Sequence, residues 1–393
     1  MIRVINDIDE LDSLRDCWEA LFEENVNCTP FQSFDYNRIS WKRLQKDNST
    51  LFIIVYSYKQ EKMPCAIFPF CIDSYHCLRF INEEHSDFQT ALITKSAQTN
   101  LAMYEEIYDY IKKQSEIDRI CLDHLRHDDY LLHYFKQVSI YARLYGTESY
   151  SYLPIVANQT DSNFIDSLHH LTAKERNRLK NIEKKAEGLS FKVISIDDYD
   201  YPESEVLDLV QKMIRSGIRS ETYFTTDLLA FIKDLYLAGV LKIGLIYHGA
   251  ELGSASFFYQ NDKGLSIQWI IIYSDKIYNL QAKLRIINSI YENGGGIFNL
   301  GRGTYKYKIQ HFRPVIQYLF QNRFHIIRVQ MPVIASRHGQ VAPGNLRMLV
   351  HQLYKLMAAL PDKLQVRIIS PVVLCRKAYQ IVCSSHSSRF GVQ

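Results

Sequence analysis

Leu265-Ser266-Ile267-Gln268-Trp269-Ile270-Ile271-Ile272-Tyr273, together with the helix and the glycines after it, sets the architecture. This run of β-branched and aromatic side chains reads as a strand. Lys276 to Glu292 then places apolar residues at helical spacing, and Gly294-Gly295-Gly296 ends that helix. Ile297 to Leu300 reads as a short buried strand that leads into Gly301-Arg302-Gly303. Upstream, Leu241 to Tyr247 and Leu252 to Tyr259 read as two further strands. His248-Gly249-Ala250-Glu251 and Asn261-Asp262-Lys263-Gly264 supply the turns between the three. Antiparallel strands, then a helix, then another strand make an α/β unit.

Earlier in the chain, Thr172-Ala173-Lys174-Glu175 is a capping box that opens a helix, with Gly188 as its stop. Helices are expected over Glu203 to Ser216 and Asp227 to Ala238. The first half begins with a capping-box pattern, Asp7-Ile8-Asp9-Glu10. Ile8, Leu11, Leu14, Trp18, Leu21 and Phe22 come after it at helical spacing, and a second helix starts near Ser33. Leu51 to Tyr58 and Pro64 to Ile72 read as strands. A helix carrying Leu101 to Ile111, a strand from Ile117 to Asp123 and a helix from Tyr130 to Val138 complete this half. The polar stretch Asn158-Gln159-Thr160-Asp161-Ser162-Asn163 marks a boundary. The expected organisation is therefore a domain over 1–157, a second over 158–330 and a basic tail over 331–393. In the tail Asp362 is the only acidic residue, Leu346 to Leu360 fits a helix, and Val366 to Val382 fits strands. Packing on the body, partner binding and poor order all fit that tail. Both halves share a layout without a residue-level repeat.

Composition bounds the function. The 393 residues are 47% hydrophobic and 23% charged, which is globular, and a length of this order predicts two domains. A formal net charge of +3 argues against a nucleic-acid binder that relies on bulk charge. Met1 to Asp7 lacks the apolar core of a signal peptide, and no stretch reaches bilayer-spanning length, so a cytoplasmic location is expected. The eight scattered cysteines form no Cys-x-x-Cys pair and read as free thiols, mostly buried, in a reducing compartment. The many rings, 27 Tyr and 20 Phe, suit half-buried strands and clefts.

Three stretches offer chemistry. Tyr273-Ser274-Asp275 joins a strand to a helix whose first N–H groups and dipole suit a phosphate. An ordinary strand-to-helix connection fits the same residues, since no glycine-rich loop is present. Gly301-Arg302-Gly303-Thr304-Tyr305-Lys306-Tyr307-Lys308 offers two glycines, three cations and two phenols, or else a solvated cationic hairpin. The helix from Lys174 to Lys185, which contains Arg178, suits an anionic partner or a solvated face. Alternation puts Cys121 and Asp123 on one strand face and His124 on the other, so they form no nucleophile–base pair. His124, His127, Asp128 and Asp129 match no metal-site spacing, and no metal is expected. No P-loop, serine elbow or dinucleotide fingerprint is present.

The combination resembles the GNAT-like acyltransferase domain of the CelD/BcsL group, also called BioF2-like, which is related in fold to FemAB-type aminoacyl transferases. Pro30-Phe31-Gln32-Ser33 with Trp41 looks like the group's N-terminal "PF.s..W" pattern. Arg176-Asn177-Arg178-Leu179-Lys180 is similar to its basic segment, and Glu251-Leu252-Gly253-Ser254-Ala255 to its hairpin. Asn299-Leu300-Gly301-Arg302-Gly303, with Tyr307-Lys308 and Phe312, resembles its "DFgrGd..YK..f" signature. The likeness spans about residues 1 to 325. Asn299 and Thr304 replace the group's acidic residues, and Leu280-Gln281-Ala282 replaces its small-residue step.

The resemblance implies tandem GNAT-like domains of α/β (α+β) class, each a mixed, mostly antiparallel sheet flanked by helices. It implies acyl transfer from acetyl-CoA or another acyl-CoA to an amine or hydroxyl of a sugar or cell-surface polysaccharide precursor. Tyr307 is then the acid or a substrate ligand, and Asp275 or Glu221 the base. The pyrophosphate would sit at Tyr278, Asn279, Leu280 and Gln281. Arg302, Lys308, Arg178 and Asn299 would touch substrate. Two alternatives stand beside this: a FemAB-like transferase that uses aminoacyl-tRNA, and a non-catalytic scaffold.

Overall fold

Each half of the chain makes a matching series of strands and helices, and the two series merge into one sheet. The computed structural model describes residues 1–325 other than 26–27, 47, 60–62, 139–142, 159–162, 262–263 and 304. The chain divides after Arg328. The basic tail, with its expected helix and strands, lies outside the described residues, as does Thr304.

In the first half, Ile2–Ile5 (β1) precedes Ile8–Asp12 (α1), Arg15–Glu24 (α2) and Phe34–Leu44 (α3). Thr50–Tyr56 (β2), Ala66–Ile72 (β3), Cys77–Phe80 (β4) and Leu92–Ile93 (β5) come next. Leu101–Lys113 (α4), Arg119–Arg126 (β6), Tyr130–Val138 (α5) and Arg143–Val156 (β7) end it. The second half contains Ala173–Lys184 (α6), Leu189–Ile194 (β8), Glu203–Arg215 (α7), Thr226–Leu237 (α8), Lys242–His248 (β9) and Glu251–Gln260 (β10). Leu265–Tyr273 (β11), Lys276–Glu292 (α9), Gly295–Arg302 (β12), Lys306–Phe312 (α10) and Val315–His325 (β13) complete it.

Among the described residues the strands run β1-β2-β3-β4-β6-β13-β7-β12-β11-β10-β9-β8, with β5 on β3. Neighbours are antiparallel except for β4 with β6 and β11 with β12. There α4 and α9 make the crossover that a parallel pair needs. The last strand of each half changes sides: β13 lies between β6 and β7, and β7 pairs with β12.

The periodic segments form as read. The Thr172–Glu175 box caps α6, with Thr172 N–H donating to Glu175 at 2.8 Å. Asp7 caps α1 by accepting from Asp9 N–H at 2.7 Å, but Glu10 turns away to Arg3 at 2.8 Å and closes no box. The sequence reading had no counterpart for β4, β5, β7, β8, β13 or α10. Polar residues interrupt the apolar ones in β13, and α10 is only seven residues long, ended by Arg313 at φ +41°.

The core crosses between the halves. Phe31 and Tyr36, from the turn and helix at Pro30 to Leu44, pack with Phe231 of α8 and Tyr259 of β10. Phe31 meets Tyr259 edge-on at 5.0 Å, and Tyr36 meets Phe231 at 5.5 Å. All four rings are fully buried. Each contributes roughly 1.5–3 kcal/mol through burial, and favourable ring geometry adds about 0.5–1.5 kcal/mol per pair. Arg43 of α3 also bonds Asp234 of α8 at 2.7 Å.

The three-glycine turn starts β12 in a narrow space. A Cβ on Gly296 would lie 2.2 Å from the Gly264 carbonyl oxygen, whereas one on Gly294 would meet nothing within 4 Å. Gly296→Ala is therefore expected to cost more than about 2 kcal/mol, by backbone clash, and Gly294→Ala only about 1 kcal/mol, from its positive φ. Urea unfolding of the two variants checks the ranking, and equal losses would refute it.

Candidate functional site

β11 and β12 stay paired for three residues only: Leu265↔Ile297, Ser266↔Phe298 and Ile267↔Asn299. Beyond them β12 slips register against β7 between Asn299 and Arg302, and the two parallel strands part. Gly301, at φ +76°, makes this possible. A Cβ there would lie 2.9 Å from the Gln268 carbonyl oxygen and 3.0 Å from an Asp87 carboxylate oxygen. Asn299 is buried, and its Oδ1 accepts from Gly301 N–H at 2.9 Å. Asn299 thus supplies an acceptor to the loop.

Lys308 fixes the loop from inside. It is 2% exposed, and its Nζ donates to the carbonyls of Gly301, Arg302 and Gly303 at 3.1, 2.8 and 3.0 Å. Those three bonds use all three ammonium protons. Burial lowers its pKa to about 8, while Asp87 and Glu148 act in the opposite direction. The solvated-hairpin reading of this stretch does not hold, because Lys308 is buried on α10.

Arg302 points back into the first half. Its Nε donates to Asp87 at 2.9 Å, its Nη1 to His124 Nε2 at 2.7 Å and its Nη2 to the Glu84 carbonyl at 2.8 Å. Glu148 lies 3.7 Å away. Burial pushes the Asp87 carboxyl up, and Arg302 offsets this only in part. Burial acts to lower the Arg302 guanidinium, yet Asp87 and Glu148 raise it on balance. His124 is held down to about 3, first by burial and then by the Arg302 charge. Its φ of +58° breaks the strand alternation that had put it opposite Asp123. The residue expected to anchor substrate is therefore engaged in tethering the two halves.

The helix start is closed by its own cap. Asp275 accepts from Ile277 N–H at 2.8 Å through its carboxylate, and its carbonyl accepts from Tyr278 N–H at 3.0 Å. The Tyr278 ring lies over Gly253, where a Cβ would come 2.8 Å from it. Leu280 and Gln281 fall in the second turn, where N–H groups are spent on carbonyls four residues back. Gln281 is buried and donates to the Ile182 carbonyl at 2.6 Å. Arg178 of α6 bonds the Gln310 carbonyl and, at 2.9 Å, His311 Nδ1, and so holds α10. Glu221 is exposed on the short turn Glu221–Tyr223. Among the described residues no bond joins Asp275, Glu221 or Arg178 to Tyr307 or Lys308.

What gathers at the opening is aromatic and cationic. The Tyr305 and Tyr307 rings stack at 6.1 Å, and Arg219 lies 4.5 Å over the Tyr223 ring. Burial, then Tyr273 and Tyr305, raise the Tyr307 phenol well above its ordinary value, so it stays protonated. Asn279 bonds the fully buried Lys283, whose Nζ is 5.1 Å from the Tyr307 ring centroid. Sequence reasoning missed Asp87 and Lys283. Asp87 left no local sign, and nothing in the helical spacing of Lys276 to Glu292 marks Lys283 as buried. The weak metal candidates are otherwise engaged: Asp128 holds Arg126 at 2.7 Å, and Asp129 accepts from Leu131 N–H at 2.8 Å. Cavities of about 20 and 30 Å³ lie elsewhere, in the first half around Tyr104 and around Gln89. Cavities of that size hold little more than water.

No protein-family model matches the chain, and no curated protein matches it. Solved structures do. L-PGS from Bacillus licheniformis is 13% identical with a TM-score of 0.53, over 88% of this chain and 97% of that one. FemX is 9% identical with a TM-score of 0.52, over 82% and 96%. A tandem GNAT protein from the clavulanic acid biosynthesis pathway is 8% identical with a TM-score of 0.50, over 84% and 100%. The fold is the tandem GNAT fold. Among the described residues no helix is long and apolar enough to cross a membrane.

Two results are expected. Asp87→Ala and Arg302→Ala should each cost roughly 3 kcal/mol, because each strands a buried charge. The double variant should cost less than their sum in denaturant unfolding; strict additivity would disprove the tether. His124, depressed in the folded state, contributes stability that is full above about pH 6.5 and lost as pH falls toward 3. Between pH 6.5 and 5 that loss is about 1.5–2 kcal/mol. His124→Asn, which tolerates a positive φ, should flatten this limb; an unchanged slope would show that other groups cause it.

Proposed function

We propose that the chain is an acyltransferase that works where β11 and β12 part. The observation that carries this is the Lys308-stapled Gly301–Gly303 loop at that parting, with the protonated Tyr307 on the same helix. A preorganised glycine loop beside an opened parallel pair suits an acyl carbonyl and its attacking nucleophile. The acceptor's nitrogen or oxygen attacks the carbonyl carbon, and the Tyr307 hydroxyl hydrogen-bonds the leaving atom. Lys308 holds the loop, and Arg302 holds it against the first half. The donor in this reading is acyl-CoA, acetyl-CoA first. The acceptor is an amine or hydroxyl of a sugar or polysaccharide precursor, in the cytoplasm. Membership of the CelD/BcsL group and a division into 1–157 and 158–330 belong to the same proposal.

One observation favours a second reading. The Asp275 carboxylate already occupies the positive end of α9, where a pyrophosphate would be repelled. An aminoacyl-tRNA donor needs no pyrophosphate there, and L-PGS and FemX share the fold.

Calorimetry separates the donors. Acetyl-CoA binding near about −8 kcal/mol, on the order of micromolar, supports the first reading. Charged tRNA binding without it supports the second. With whichever donor binds, Tyr307→Phe should lower turnover about 100-fold while the fold survives. Failure of both donors to bind a folded sample would refute acyl transfer.

A further inference from the structure

Lys283 is 1% exposed, near the middle of α9. Burying an ammonium is costly unless a carboxylate and further hydrogen bonds offset the lost water. Among the described residues no carboxylate pairs with it. Its bonding partner is the Asn279 side-chain oxygen on its own helix. The groups facing it from α10 are the Tyr307 ring, at 5.1 Å, and the Lys308 ammonium, and from β11 the Tyr273 phenol stands beside Tyr307. Burial, with repulsion from Lys308 second, drives its pKa well below the ordinary lysine value. Lys308 spends every proton on backbone carbonyls, so it has no lone pair to offer. Lys283 does: its amine can accept a proton and still donate to Asn279.

We propose that Lys283 is the proton acceptor of the transfer step. This rests on the acyl-transfer reading and extends it, since among the described residues no bond joins Asp275 or Glu221 to Tyr307. The nucleophile's lone pair forms the new C–N or C–O bond. The bond from the carbonyl carbon to the donor's sulfur or ester oxygen breaks, and its electron pair leaves on that atom. The nucleophile's proton passes to the Lys283 amine, and the leaving atom takes a proton from Tyr307 or solvent. Lys283 then returns its proton to Tyr307 or solvent, which resets the site.

Lys283→Met and Lys283→Arg test this in the full-length protein, with rates measured against pH using whichever donor the wild type turns over. The wild-type rate should rise with pH through a titration well below the ordinary lysine range. Both variants should lose at least about 100-fold, because neither methionine nor an always-charged guanidinium accepts a proton. The methionine variant should melt no lower than the wild type, since it removes a buried amine, so its loss of rate is not unfolding. A methionine variant within about twofold of wild type overturns the inference. So does an arginine variant that restores the rate, which would make the role one of charge, and so does a methionine variant that loses only donor affinity. An inactive wild type with both donors overturns the acyl-transfer reading itself, and this inference with it.

Discussion

The pair formed by Arg302 and Asp87 is the constraint on which the site depends. It joins residues 215 positions apart, at 2.9 Å, in an environment that penalises both charges. Such a pair is weak evidence for stability but strong evidence for placement, because either charge alone is costly. The first half braces Asp87 in turn. Gln32 donates to the Phe88 carbonyl at 2.8 Å, and the Tyr36 hydroxyl lies 3.0 Å from Ser86 Oγ. The Trp269 indole donates to the His85 carbonyl at 2.8 Å. The segment from His85 to Phe88 is thus gripped by both halves, and it fixes where the glycine loop leaves the sheet.

This explains why two sequence patterns so far apart belong together. Pro30-Phe31-Gln32-Ser33 forms the turn that supports Phe88 and caps α3, with Ser33 accepting from Tyr36 N–H. Gly301-Arg302-Gly303 meets the same segment at Asp87. Neither pattern shows the other in its own residues.

The sequence made the elements legible where apolar residues recur over long runs. Lys276 to Glu292 is a helix over the residues expected, and the three strands before it lie where β-branched runs placed them. Legibility failed at α10, too short for a period to show, and at Lys308 and Lys283. A lysine reads as solvated. What allows Lys308 to be buried is three carbonyls turned inward by a glycine loop, a geometry no local pattern displays. Asp275 was visible as a helix-start residue but not as the group that fills the anion position itself. The free thiols divide evenly among the described cysteines: Cys65, Cys77 and Cys121 are buried, and Cys17, Cys28 and Cys71 are half-buried. The apolar runs around them do not separate the two groups.

The exchange of β7 and β13 bears on how the protein is made. During synthesis β6 finds only two partner pairs on β4, Cys77↔Arg119 and Leu78↔Ile120. Its other edge has no neighbour until β13, the last described strand, has left the ribosome. β7 likewise waits for β12. The nascent first half therefore carries an open strand edge through translation of the whole second half, the condition under which chains pair wrongly with one another. Completion places β13 between two strands already made, and pairings this distant in sequence form slowly as a rule.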